Sequence, residues 1–181
     1  GLRDRGLVAP GWRADLVILD HLEECRVHSV ISAGRVVEEA LFAARSRIEP
    51  VGRQSMKARQ VSAADMRVAG VNAATPVIGV IPGKIITAHL TLHLPLAEGC
   101  KHVDPDQYVV KVVVIERHGK SGPQTGIGRG FVKGFGLKRG AIASSVGHDS
   151  HNICVVGADD ADMALAANRL GEIEGGFVVV E

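Results

Sequence analysis

His148-Asp149-Ser150-His151-Asn152 places two imidazoles, a carboxylate, a hydroxyl and a carboxamide in five consecutive positions. Three chemistries suit that set. His148 and His151, three apart, could join Asp149 as nitrogen and oxygen ligands of a metal. Alternatively, a histidine oriented by Asp149 could move a proton near neutral pH, with Ser150 and Asn152 recognising substrate. The plainer alternative is a hydrogen-bonded turn in which Asp149 and Asn152 cap backbone N–H groups and the imidazoles bond to carbonyls. Residue types alone leave all three open, because so many polar groups are costly to bury unless each finds a partner.

Other reactive residues give weaker signals. Arg117-His118 follows an apolar run directly, which puts both at the C-terminal end of a strand, where α/β sheets often carry sites. Glu116 is expected on the opposite side, and a strand-end ion pair is the competing reading. His89 and His93 share one face of a β segment, but Pro95 and the lack of an adjacent acid argue against a metal there. Ser144-Ser145 has no nucleophile-elbow context.

The elements that must hold these residues follow from patterning. Ala141 to Val146 and Ile153 to Val156 read as short buried strands on either side of the polar group. Tyr108 to Ile115 is a nearly continuous β-branched run interrupted by Lys111, as expected of a central strand covered on both faces. Asp159, Asp160 and Asp162 crowd the first turn of a helix, where acids complement the dipole. Met163, Ala166, Ala167 and Leu170 form its apolar face, Gly171 or Gly175-Gly176 ends it, and Phe177 to Val180 is the next strand. This strand–helix–strand unit predicts an α/β or α+β sandwich. Val77 to Val80 and Lys84 to Leu94 read as strands around a Pro82-Gly83 turn. Ser62-Ala-Ala-Asp65 has the form of a capping box opening a short helix. The eight glycines from Gly119 to Gly140 fit no phosphate-binding pattern and predict a flexible, close-packed loop.

The first forty residues read as a separate small β unit. Pro10-Gly11 suits a type II turn, Leu16 to Leu19 and Arg26 to Ile31 are strands, and Ala33-Gly34 turns the chain into Arg35 to Val37. Glu38 to Arg47 suggests a helical turn. The division expected is 1–45, a connection over 46–61, and 62–181.

Composition bounds the function. The 181 residues are 46% hydrophobic, with one Trp, one Tyr and four Phe, so the core is aliphatic. The 21 basic and 20 acidic side chains argue against a nucleic-acid surface. No apolar run approaches the roughly 20 residues of a membrane span, and no signal-peptide pattern opens the chain. Cys25, Cys100 and Cys154 are in no ligand spacing and read as reduced thiols of a cytoplasmic protein. A start without Met, and a terminal apolar strand over 177–181 with no evident partner, predict flanking sequence in a longer parent.

Ala9-Pro10-Gly11, Ala14-Asp15 and Leu16 to Asp20 resemble the closing strands of amidohydrolase-superfamily enzymes, where the chain leaves a metal-bearing barrel and completes a small β-sandwich. The segments Val114 to His118, Gly130 to Leu137, Gly140 to Ile153 and Val155 to Gly157 are similar to the C-terminal domain of the bacterial adenine deaminase family. Gly147 departs from that pattern, where Ala is expected. The resemblance implies a mixed α/β fold: the end of an amidohydrolase β-sandwich over 1–45, then the family's C-terminal domain over 62–181, truncated at its end. It implies that the intact protein hydrolyses adenine to hypoxanthine and ammonia through metal-activated hydroxide attack at C6. Manganese or iron would sit in a missing N-terminal barrel and no metal in this chain, which alone would be inactive. His148, Asp149 and His151 then become catalytic candidates, and Ser150, Asn152, Arg117 and His118 substrate-binding candidates. A homo-oligomer is expected. A non-catalytic binding or assembly module with the same fold is the alternative.

Overall fold

The structure, a computed structural model, describes residues 2–43, 45–122 and 126–181, which divide into two compact units, 1–51 and 52–181. The first unit is a three-stranded antiparallel sheet in the order β1 (Leu16–His21), β2 (Arg26–Ser32), β3 (Arg35–Val36), followed by the five-residue helix α1 (Glu39–Ala43). The Pro10-Gly11 turn forms as expected, with Gly11 at φ 82° and the Trp12 N–H on the Ala9 carbonyl at 3.2 Å. Asp15 pins the sheet: Oδ1 accepts from the Ala33 N–H at 2.7 Å, while Arg5 and Arg13 pair with Oδ2. None of this unit's described residues is buried.

The second unit holds the core. Its strands are β4 (Val68–Ala69), β5 (Ala74–Val80), β6 (Thr87–His93), β7 (Leu96–Ala97), β8 (Cys100–Lys101), β9 (Val109–Ile115), β10 (Ile127–Lys133), β11 (Ala141–Ser144), β12 (Ile153–Gly157) and β13 (Phe177–Val180). The thirteen-residue helix α2 (Asp160–Glu172) joins the last two. Seven strands make one sheet in the order β13-β11-β12-β9-β10-β5-β6, and β4-β8-β7 make a small second sheet. The mixed α/β class is as the sequence predicts, and no described helix is long and apolar enough to cross a membrane.

Period-2 alternation explains how the large sheet is covered. Val178, Ala143, Val155 and Val113 stand opposite one another across β13, β11, β12 and β9. Ala143, Val155 and Val113 pack in one core with Met163, Ala166, Ala167 and Leu170 of α2. The N-cap of α2 is Asp159, whose Oδ1 accepts from the Ala161 and Asp162 N–H groups at 2.8 and 3.0 Å. Lys111, the one charge in β9, is buried on this face, and its Nζ reaches Asp160 Oδ1 at 2.5 Å.

Several expectations change. The glycine-rich segment is not a loop throughout, since Ile127–Lys133 is β10, paired along its whole length with β9. Gly128 and Gly130 lie opposite Val114 and Val112, and a Cβ would meet nothing within 4 Å at Gly128 and only Val112 at 3.9 Å at Gly130, so neither glycine is required by crowding. β9 is central and covered on both faces for part of its length: away from α2, Val110 is buried with Val132 and Val156, while Val114 is 40% exposed. β13 has a partner, pairing antiparallel with β11. Asp65 reaches back to the Ser62 N–H at 2.8 Å, while Ser62 Oγ donates to the same carboxylate oxygen at 2.9 Å. The helix this opens is a single 3-10 turn, Ala63–Met66. Helix α2 continues through Gly171 to Glu172.

Candidate functional site

Two connections leave the same end of the sheet and meet. One follows β9 and carries Glu116, Arg117 and His118; the other links β11 to β12 and carries His148 to Asn152. The second leaves the sheet at Ser144, two residues earlier than the apolar run suggests. Ser145 is responsible: its N–H donates to the Gly176 carbonyl at 3.1 Å and its buried Oγ accepts from the Gly176 N–H at 2.9 Å. Gly175, at φ 119°, permits this approach, since a Cβ there would lie 2.8 Å from Ser145 Oγ.

Beyond Ser145 the chain turns on itself. The Val146 N–H bonds to Ser144 Oγ at 3.0 Å, and the Gly147 N–H to His151 Nδ1 at 3.3 Å. His151 sits in the left-handed region at φ 50°, uncommon for a residue with a Cβ and a cost its bonds must offset. An Nδ1 that accepts leaves the neutral ring's proton on Nε2. Asp149 Oδ1 accepts from the Ser150 N–H at 2.6 Å. That bond holds the Asp149 carboxyl below the usual range, against the opposing effect of desolvation and with help from the neighbouring imidazoles.

The two connections are tied by two bonds. His118 Nε2 lies 2.9 Å from the Ser150 carbonyl, so it donates there, and Asn152 Oδ1 accepts from the Arg117 N–H at 3.4 Å. Glu116 braces the first connection. One carboxylate oxygen accepts from the His118 N–H, and the other from Lys120 and Ser121 at 3.0 and 3.2 Å. Partial desolvation pushes its carboxyl upward, but the N–H groups of Ser121, His118 and Lys120 prevail and hold it low.

The result is an open cleft of about 480 Å³ lined by Glu116, His118, Lys120, Asp149, Ser150, His151 and Asn152, within the size range of small-molecule sites. All seven bear a charged, imidazole, amide or hydroxyl group, and Lys120 supplies the ammonium among them. Glu116 shares this cleft with His118 instead of facing away, because the chain turns immediately after β9. The sequence reading missed Glu116 and Lys120. The available signal was a carboxylate followed closely by Gly119 and Ser121, a composition suited to a side-chain-capped turn.

Not every candidate converges. Arg117 sends its guanidinium elsewhere: Nη1 lies 3.8 Å from where a Gly175 Cβ would be, and Nε is buried without a hydrogen-bond partner. The competing reading, a strand-end ion pair, is not formed by Arg117 among the described residues. The topological argument for Arg117-His118 fails too, since β9 is antiparallel to both neighbours; a hydrogen bond to the facing loop brings His118 to the cleft. His148 is exposed and lies outside the cleft lining. His89 and His93 are exposed on one face of β6. Among the described residues no three His, Cys, Asp or Glu side chains are grouped as metal ligands. The reading of His148, Asp149 and His151 as a ligand set is therefore not assembled.

Comparison with known proteins covers the same elements. The family model for the adenine deaminase C-terminal domain matches residues 84–181, which include the whole cleft. The adenine deaminase of Methylobacterium nodulans is 64% identical over 180 residues, 99% of this chain and 31% of that protein. Adenine deaminase 1 of Rhizobium meliloti is 63% identical over 180 residues, again 31% of its length. Adenine deaminase 1 of Agrobacterium fabrum is 60% identical over 181 residues, all of this chain and 31% of that protein. The chain thus spans about a third of the length of the curated relatives it matches.

Proposed function

The chain belongs to the adenine deaminase C-terminal domain family, and from that membership we propose that it is the C-terminal part of an enzyme hydrolysing adenine to hypoxanthine and ammonia. Residues 1–45 are read as the end of an amidohydrolase β-sandwich, and 62–181 as the domain that contributes the cleft. One observation carries the proposal: the polar cleft between the β9 and β11–β12 connections lies wholly inside the family match.

In this reading the divalent metal, manganese or iron, and the hydroxide chemistry belong to a barrel outside these residues. The chain's own part is recognition and proton handling. Ser150 and Asn152 present a hydroxyl and a carboxamide suited to the ring nitrogens and exocyclic amine of a purine. His118, donating through Nε2 to Ser150, keeps the two connections in register. His151, with Nδ1 held by the Gly147 N–H, directs Nε2 outward as a donor. His148 is the group that handles the proton and Asp149, held as a carboxylate, is the charge beside it, and Arg117 acts from behind through the backbone that Asn152 caps. The exposed apolar residues Phe177, Val179 and Val114 on the sheet face away from α2 support burial in a symmetric assembly. A cytoplasmic location completes the reading.

The test is steady-state deamination of adenine by the full-length protein carrying His148→Ala. Turnover is expected to fall by well over about tenfold with the thermal midpoint unchanged. Unaltered kinetics would leave the cluster as a bonded turn and favour the non-catalytic module.

A further inference from the structure

A second cleft lies where the large sheet comes apart. β10 and β5 pair in parallel only at Val132 with Ile78 and Lys133 with Gly79. Toward Gly130 and Pro76 the pairing ends, since Pro76 has no N–H to give a ladder. The gap forms an opening of about 290 Å³ that shares no residue with the His118 cleft. Val77 and Phe131 give it buried apolar walls, and Gly130 leaves room because its nearest neighbour to a built Cβ is Val112 at 3.9 Å.

Two cations line this opening and no acid does. Lys101 is only 9% exposed, and its Nζ donates to the Ala74 carbonyl at 2.8 Å. Arg129 donates through Nε to the Asp65 carbonyl at 2.5 Å. Neither has a carboxylate partner among the described residues; Asp65 itself commits its carboxylate to Arg59 and Ser62. Lys101 is held by close packing, because a Cβ at Gly70 would collide with its methylene stem. Buried ammonium groups are normally paired, since the charge is costly to desolvate. The carbonyl satisfies one of three Nζ donors and leaves the charge uncompensated.

We propose that the cleft between β5 and β10 binds a small carboxylate with an apolar body, its carboxylate between Lys101 and Arg129 and its body against Val77 and Phe131. A monoanion suits the site better than inorganic phosphate, whose larger charge and four polar oxygens would have to be desolvated among apolar walls.

The test titrates benzoate, benzamide and inorganic phosphate separately into the full chain and follows backbone amide resonances. Benzoate shifts the amides of Val77, Arg129, Gly130 and Phe131 saturably. Benzamide, the same shape without the charge, and phosphate each bind at least about tenfold more weakly. Lys101→Met, which keeps the stem and removes the charge, loses about tenfold in benzoate affinity. Arg129→Gln, at an exposed position, loses several-fold and decides the matter if the Lys101 variant does not fold. Absence of saturable benzoate shifts, equal affinity for benzamide, phosphate binding tighter than benzoate, or unchanged affinity in Arg129→Gln would each overturn the proposal.

Discussion

Residues 145–152 and 153–170 adjoin in sequence and are opposite in physical character. After Asn152 the chain enters β12 and α2, where Ile153, Val155, Met163, Ala166 and Leu170 are fully out of water. Before it, His148, Asp149, Ser150 and His151 are all exposed, held by single bonds between neighbouring groups. The first region is fixed by packing and carries stability; the second is fixed by a few directional bonds and is the region proposed to carry chemistry. Mutations in one should leave the other's property untouched.

The largest effect should come from the core. Leu170→Ala empties a site in the cluster containing Val155 and Met163 and is expected to cost about 3–5 kcal/mol, measured by urea unfolding. Loss of activity in that variant should follow the unfolded fraction alone. Asp160→Ala comes next. It strands the Lys111 ammonium, whose side chain is 6% exposed, beneath a carboxylate that is itself 28% exposed. The expected cost is about 2–3 kcal/mol, below the range for a fully buried pair because water reaches Asp160. Lys111→Met should recover most of that loss in the double variant, and failure to do so would mean the ion pair is not the source.

The sequence made the packed half readable and the polar half only partly so. β9, β12 and α2 follow from β-branched runs, the Asp159 cap and the spacing of Met163, Ala166, Ala167 and Leu170, because burial imposes strict periods. β10 escaped, since Gly126, Gly128 and Gly130 weaken any intrinsic strand preference; its place depends on Val112 and Val114 across the ladder. Pro76 hid the start of β5 for a similar reason, its missing N–H being harmless only where β10 has already diverged. For the cleft, residue types were visible in His148 to Asn152, whereas the contributions of Glu116 and Lys120 depend on a turn after β9 that no local pattern specifies. Arg117 was misplaced because sequence adjacency to His118 says nothing about which way a guanidinium leaves the backbone.

Changes in the polar region should be small in stability. Asp149→Asn is expected to leave the urea midpoint of unfolding essentially unchanged while loosening the turn at Ser150. Acid should do the same. Because the folded turn holds the Asp149 carboxyl low, its contribution is present above the ordinary aspartate range and is lost as pH falls through that lowered value. The Ser150 amide resonance should titrate at that lowered value, while the amides of β12 and α2 hold their positions. Titration at the ordinary aspartate value would mean that the Asp149 bond to Ser150 does not persist in solution.

Hydrogen exchange of the full-length protein with and without adenine tests the separation of stability from chemistry most directly. Adenine is predicted to slow exchange at Ser150, His151, Asn152 and His118, leaving β9, β12 and α2 unchanged. Protection confined to α2 and the sheet, with none over 148–152, would contradict the assignment of this cleft to the substrate.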